Sequence, residues 1–346
     1  MRKNLITAVV TSFVLVSPML AIEGRVPIAG PTTITAPGSY IVTQDFSVPS
    51  GNAINVAASQ VTIDLNGHTI TLAPGTGIGV YIASAYDWVT VRNGRIVGGG
   101  TGVQMYPVPP SSPGRTITVE KLDVEASQRG FDLEGVAQAQ VIGCTVRNTG
   151  NVAILLYGGS ASASFEGRVV GNIVNSASNG GLSIGSGGCQ GVEIGGNSIS
   201  MRGPNAYGIA LSCSGARVHD NSIHLQTASS GFTQGIAIAG NQNQILENTI
   251  QGFATGIFVN QYFGNYLAGN VIRQGTPAGT GDGGIAVQGS RNLIERNQVE
   301  GGAGCGLNFP AFSPATGNAY RNNMLRGNAG GAVCGSAQTD AGGNIL

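Results

Sequence analysis

The sequence predicts an all-β chain wound into a single-stranded right-handed parallel β-helix, a solenoid of about eleven coils of about 25 residues each. Three observations carry this. Hydrophobic residues alternate with period two in short runs that open on Gly. Asn returns at one point of a second run with the same repeat. The composition (57 Gly and 27 Asn in 346 residues, 10% charged, 17 Lys+Arg against 17 Asp+Glu) suits short strands joined by tight turns.

The first pattern reads GVYI at 79, GVQM at 102, GFDL at 130, GLSI at 181, GIAL at 208, GIAI at 235, GIFV at 256, GIAV at 284, GLNF at 306 and GAVC at 331, with AILL at 153 filling the gap. Successive starts lie 21 to 28 residues apart. The second pattern, hydrophobe-x-x-Asn-x-hydrophobe, places Asn172, Asn197, Asn221, Asn248, Asn270, Asn297 and Asn323 at the same mean spacing, with Gly94, Leu122 and Cys144 at that position in earlier coils. One coil of about three short strands cannot bury its inner face alone, so coils must stack, each strand pairing in parallel with its counterpart ~4.8 Å away. An inward corner Asn then meets the same Asn one coil on, and a stacked ladder gives each buried amide its partners. Eleven coils make a rod of roughly 50 Å.

Other repeat folds are excluded. The L-x-x-L-x-L frame of leucine-rich repeats is missing, a propeller needs a longer period, and GTGDGG at 279–284 is a single Gly-rich turn, not a calcium-binding nonapeptide array. There is no basic surplus to grip a phosphate backbone, so no nucleic-acid partner is expected.

Residues 1–21 read as a secretory signal. Arg2 and Lys3 open it, an apolar run from Leu5 to Leu15 follows, and small Ala21 closes it. The run is shorter than the ~20 residues a membrane span needs, and no later segment reaches that length. A secreted or periplasmic protein with no membrane span after signal removal is expected. Residues 22–60 are read as an N-terminal cap with the first strands, and residues 61–346 as the β-helix. A monomer or end-to-end association of solenoid ends is compatible with the pattern.

The stretches PGSYIVTQDFSVPSGNAI, VTIDLNGHTI and VTVRNGRIVGG resemble the opening of exported bacterial right-handed parallel β-helix proteins of the pectin-lyase-like superfamily. The resemblance extends over essentially the whole mature chain and rests on turn and core residues. It implies the fold. It also implies a choice among polysaccharide lyases, glycoside hydrolases, epimerases, adhesins and a copper-maturation accessory protein, which a fold alone does not decide. The NTD, DD, GHG and RIK elements of polygalacturonases, the WiDH element of pectate lyases and the DPHD element of alginate epimerases are absent.

Cys189 and Cys213 both lie eight residues before their ladder Asn, which puts them on adjacent coils within disulfide reach. Cys144 occupies a ladder slot and Cys334 an inward strand slot, so both read as small buried hydrophobes. Cys305 and Cys334 are on successive coils but about four residues out of register, and their pairing stays open. Five Cys without CxxC and three scattered His give no zinc frame, so neither a metal nor another cofactor is expected.

In each Gly-start strand the first and third residues after Gly point inward, and the second and fourth point to solvent. At Gly130 these outward residues are Asp132 and Glu134, about 7 Å apart on a flat sheet. Tyr106 and Tyr157 stack beside Glu134 on the coils before and after. Long insertions at 106–116 and 157–167 leave equivalent corners on either side and are placed to wall a cleft. Carboxylates and aromatics so arranged suit glycoside chemistry or sugar binding, with Asp132 and Glu134 the catalytic candidates. Arg115, Arg129 and Lys121 lie near in sequence and are candidates to neutralise a uronate. The alternative is two solvated acids on an exposed strand.

A second patch centres on Phe258 and Asn260, with Tyr262 and Phe263 either following it or packing in the turn. A third is His219 with Asp220 and Glu247, the two acids sharing one repeat position on adjacent coils. Arg273, Glu300 and Arg326 form a structural charge ladder, as do Glu295 and Arg321. The reading is an exported protein that binds polysaccharide on its exposed parallel sheet. A polysaccharide lyase or glycoside hydrolase, and a structural or adhesive surface protein, are the alternatives. A lyase base would fall to Lys121, the single lysine after the signal, or to Arg115 or Arg129.

Overall fold

The computed structural model describes residues 24–106, 115–158, 165–227, 232–275, 283–310 and 315–346; the signal expected at 1–21 lies outside them. They form one continuous parallel ladder of 35 strands, with no helix among the described residues. This is the right-handed parallel β-helix that the two repeats predict. Its strands fall on three faces. The first carries the Gly-start strands, such as Arg129–Val136, Val152–Gly158 and Gln234–Ile238. The second carries strands such as Gln138–Ile142 and Glu166–Val170. The third carries strands such as Thr145–Arg147 and Ser198–Met201. Long strands such as Val89–Met105 bend across all three. Strands from Val26 onward already stack in register.

Like-numbered side chains form columns. On the first face Gln104, Asp132, Leu155, Ser183, Ala210, Ala237 and Phe258 share one outward register. The residues between them, including Val103, Phe131, Ile154, Leu182, Ile209 and Ile236, are fully buried and build a single continuous core. The recurrent Gly has a packing reason. A Cβ at Gly235 would stand 2.3 Å from Ile250 Cγ2 and 2.6 Å from the Gly256 carbonyl oxygen. No side chain fits where the incoming strand crosses that close.

The Asn ladder is complete. Asn172 Nδ2 donates to Asn197 Oδ1 at 3.0 Å, and the chain of amides continues through Asn221, Asn248, Asn270, Asn297 and Asn323 to Asn344. Each Oδ1 also accepts the backbone N–H of the preceding rung, as Asn248 Oδ1 does from Asn221 at 3.1 Å. From Asn172 to Asn323 each Nδ2 donates to a carbonyl of the previous coil, as Asn248 does to Val218 at 3.0 Å. The turn exists because the residue before each rung sits in the left-handed region: Gly196 at φ 61°, Asp220 at 56°, Glu247 at 55°, Gly269 at 67°. Side chains at that point therefore stand away from the core.

A second ladder escapes the sequence reading. Asn243, Asn265, Asn292 and Asn318, each five residues before a rung of the first, occupy the opposite corner of the second face. Asn265 Nδ2 and Asn292 Nδ2 each donate to the next Oδ1 at 3.1 Å, and Gln338 receives Asn318 N–H at 3.2 Å. Their spacing of 22 to 27 residues was visible as QN, GN or RN before a strand.

Two disulfides close adjacent coils. Cys189–Cys213 joins like positions at a Cα separation of 4.7 Å, as the repeat predicts. Cys305–Cys334 also forms, at 6.1 Å. The inward placement expected for Cys334 is corrected: Val333 pairs with inward Leu307, and Cys334 pairs with outward Asn308. The last repeat starts at Ala332, not Gly331, and a one-residue slip turns every side chain to the other face. Two disulfides fit an oxidising compartment. No helix among the described residues is long and apolar enough to cross a membrane.

The expected charge ladders are present. Arg273 Nε lies 3.7 Å from Glu300 Oε2 and Arg321 Nε 2.6 Å from Glu295 Oε2. Glu295 departs from a simple surface ladder. It is buried against small Ala268, and the Tyr266 hydroxyl, Arg321 and Arg296 hold its carboxyl below the usual carboxylate range.

Candidate functional site

The strand Arg129–Val136 holds the acid pair between Val89–Met105 and Val152–Gly158. Gly135, at φ 75°, is an extra residue in the pairing: Glu134 faces Tyr157 and Val136 faces Gly158. Such a bulge re-aims the side chain beside it. Arg115 supports the bulge. It is buried, and its Nη1 donates to the Gly135 carbonyl at 3.5 Å while its own carbonyl accepts Ala137 and Gln138 N–H at 3.0 Å each. Burial pulls its guanidinium below the usual arginine range, Asp87 opposing. Arg115 is thus not an exposed substrate cation, which corrects the sequence expectation.

Asp132 is also corrected. Its strand position faces outward, but the side chain is only 2% exposed. Arg129 folds back three residues to place Nη1 2.7 Å from Asp132 Oδ2, and Gln104, one coil before, donates Nε2 to the same oxygen at 3.0 Å. Asp132 Oδ1 is buried with no donor assigned to it. Glu134 stands beside it in hydrogen-bonding reach. Burial first, then the Asp132 charge and the hydrogen bond between the two acids, raise the Glu134 carboxyl above the ordinary glutamate range, with Arg129 opposing. Glu134 therefore holds its proton to higher pH than an ordinary glutamate.

The raised carboxyl has a sign for stability. The folded state binds this proton more tightly than the unfolded chain, so Glu134 adds stability below its unfolded pKa. That contribution is lost as pH rises through the folded value. Glu134→Gln is expected to flatten this part of the pH–stability curve; denaturant titrations of both proteins from pH 4 to 7 read it, and superimposable slopes would contradict the assignment.

Tyr106 and Tyr157 flank Glu134 on the coils before and after, and are 54% and 47% exposed. The insertions at 107–114 and 159–164 lie outside the described residues. Five coils on, at ~4.8 Å each or about 24 Å along the axis, half-buried Phe258 and exposed Asn260 border a cleft of about 160 Å³ with Ala210, Ser212, Gln234 and Ala237. Phe232 meets Phe258 edge-on at 6.5 Å. The two patches that the sequence separates share one face, joined by a floor of Leu155, Ser183, Ala210 and Ala237. Tyr262 packs against the core, and Arg291 lies over the Phe263 ring at 5.5 Å, so both belong to turn packing.

The remaining candidates sit elsewhere. Lys121 occupies a left-handed corner beside Leu122, between the second and third faces. His219 is on the second face, its Nδ1 2.7 Å from Asp220 and its Nε2 3.3 Å from Glu193, which Arg168 also binds at 2.8 Å. A shallow depression of about 250 Å³ there is lined by Gln138, Gln140, Glu166, Arg168 and Glu193. Arg168 and Glu193 are paired with one another, Glu166 accepts Gln138 Nε2 at 3.3 Å, and no aromatic side chain lines it. Among the described residues no cluster of three His, Cys, Asp or Glu is placed to hold a metal ion.

One exposed aromatic residue that the sequence reading missed stands two coils before the acid pair. Trp88 is 61% exposed at φ 58°, on the corner where the first face passes into the second. The alignment of VTV at 89 with VTI at 61 gives it the corner slot of Gln60, which was a readable signal.

Residues 207–345 match the family model described as right handed beta helix region. No curated protein sequence matches the chain. Among solved structures the β-helix resembles the Dettilon tailspike protein, at 12% identity and TM-score 0.46 over 86% of this chain. It spans 61% of that tailspike. It also resembles the Azotobacter vinelandii mannuronan C-5 epimerase AlgE6 A-module, at 16% identity and TM-score 0.48 over 93% of this chain and 91% of that one. Endopolygalacturonase I from Stereum purpureum gives 15% identity and TM-score 0.29 over 91% and 100%. The chemistry of the site rests on its own residues.

Proposed function

We propose that this is an exported β-helix protein that binds polysaccharide along its first face, with Glu134 at the point of closest engagement. One observation carries the reading: a half-buried carboxyl, raised above its ordinary range, stands between two exposed tyrosines at one end of a floor of Leu155, Ser183, Ala210 and Ala237 that ends at a second aromatic cleft. Tyrosine ring faces cover sugar C–H surfaces while the hydroxyl stays wet. The parallel ladder presents such groups at a fixed interval, which a linear polymer meets repeatedly. Export rests on the charged and apolar leader at 1–21 together with the two disulfides. Tyr157→Ala is expected to weaken binding to the recognised glycan about tenfold or more, without lowering the melting temperature by more than a few degrees. Affinity electrophoresis over a glycan panel measures this; unchanged retention on every glycan would remove the reading.

The state of Glu134 favours a second reading, a glycoside hydrolase in which Glu134 donates its proton to the glycosidic oxygen as the anomeric C–O bond breaks, water adds to the anomeric carbon, and the proton that water loses restores the Glu134 acid. Asp132 is buried against Arg129 and Gln104, so it acts as a positioning residue that keeps the Glu134 proton in place. Activity would then fall as pH rises through the Glu134 pKa. Reducing ends released by the native protein but not by Glu134→Gln decide between binding and hydrolysis. The lyase alternative loses support, since Lys121 lies on another corner, Arg115 is buried and Arg129 is bound to Asp132.

A further inference from the structure

The charge and aromatic content of the first face say which glycan it fits. In the outward column from Tyr81 to Asn308 and the column on either side of it, Arg129 is the only cationic side chain among the described residues, and its guanidinium is committed to Asp132 at 2.7 Å. The segments PVPPSSPG at 107–114 and GSASAS at 159–164 contain no Lys or Arg to supply another. A uronate polymer brings one carboxylate per ring. Here it would meet no available cation, and with Arg129 already held by Asp132 nothing on the face offsets the cost of desolvating that charge, which disfavours the ligand. Uncharged rings meet no such barrier, and the face offers them phenol rings, amides and hydroxyls.

Trp88 extends this surface. A bulky side chain at φ 58° is a strained choice where Gly215, Gly264 and Gly317 serve the same corner in other coils. The strain carries an exposed indole that packs on nothing in the core. Asp87 Oδ1 caps the turn, accepting N–H from Trp88 and from Thr116 on the next coil at 2.6 Å each, so the corner is fixed rather than loose. Trp88 stands at the corner after the first-face strand of its coil, in register with Thr116 and Gln138 on the next two coils, while Tyr106, Glu134 and Tyr157 leave the first face on the three coils that follow, the four coils spanning about 14 Å along the axis at ~4.8 Å per coil.

We propose that the groove takes a neutral glycan rather than a polyuronate, and that Trp88, the chain's one tryptophan, stacks on a sugar ring at its N-terminal end. This rests on the polysaccharide reading above and names its substrate class. The test uses the full mature chain and the intrinsic fluorescence of Trp88. Neutral oligosaccharides (gluco-, manno-, galacto- and rhamno-oligomers) and oligouronates (galacturonate, mannuronate, guluronate) are titrated separately, with calorimetry in parallel. A saturable emission change with at least one neutral series and none with the uronates is expected. Trp88→Gly relieves the backbone strain, so its melting temperature is expected to stay level or rise while calorimetric affinity for the neutral ligand falls about tenfold. Binding of uronates alone would overturn the neutral-glycan inference and leave the polysaccharide reading standing. Binding of neither class would remove the reading itself. Neutral binding that Trp88→Gly leaves unchanged would overturn the role of Trp88.

Discussion

Asn248→Ala is expected to destabilise the rod by about 4 kcal/mol, because it leaves several buried groups unserved at ~1–3 kcal/mol each. Asn248 Oδ1 accepts both the backbone N–H and Nδ2 of Asn221, at 3.1 and 2.9 Å. Its Nδ2 donates to the Val218 carbonyl and to Asn270 Oδ1, at 3.0 Å each. Asn221 Nδ2 keeps the Ile194 and His219 carbonyls, but the Asn221 N–H and the Val218 carbonyl have no replacement in a corner that is fully buried. Coils contact only their neighbours, so the loss is felt as a break in mid-rod rather than a uniform softening. Asn344→Ala is the control, since that rung is only half-buried and water takes over its role. Urea unfolding of the two variants checks this. A shift for Asn248→Ala no larger than that for Asn344→Ala would mean that the ladder is ornamental to stability.

Removing the Cys189–Cys213 disulfide through the double Ser variant is expected to cost about 3 kcal/mol. The bond closes a loop of 24 residues, one full coil, for which chain entropy gives a cost of that order. It also clamps consecutive coils between the acid pair and the Phe258 cleft, so its loss is expected to weaken glycan binding as well as stability. The other thiol does not confuse the experiment. Cys144 is buried, and its pKa is pushed up to about 12, chiefly by desolvation, so it carries no thiolate for exchange. Differential scanning calorimetry of the variant and of native protein under reductant gives the answer; matching traces for native, reduced and double-Ser protein would contradict it.

Most of the architecture was readable because translation by one coil brings each residue against its own counterpart. Spacing in sequence then converts directly to contact in space, which is why Asn197, Asn221 and Cys189–Cys213 were placed correctly from numbers alone. The same logic was available for Asn243, Asn265, Asn292 and Asn318, but a ladder of four short rungs is a weak periodic signal. Cys334 failed through a slip of one residue, since two consecutive Gly at 330 and 331 disguise the true start at Ala332. The site was harder. That Asp132 and Glu134 point outward follows from alternation. That Asp132 is buried does not, because Arg129 folding back along its own strand and Gln104 arriving from another coil are side-chain choices with no period. The Gly135 bulge, which sets the aim of Glu134, is likewise a single irregularity that repeat arithmetic averages away. Trp88 was overlooked because its corner alternates between Gly and larger residues, which left only the match of VTV at 89 to VTI at 61 to mark it.

The most direct test of a glycan-binding first face is a crystal structure of the mature protein with a bound oligosaccharide, taken with the glycan that fluorescence selects. Sugar density lying along the helix axis over Glu134, between Tyr106 and Tyr157 and directed toward Phe258, is the predicted result. Sugar seated instead in the second-face depression of Gln138, Arg168 and Glu193, with the first face bare, would contradict it.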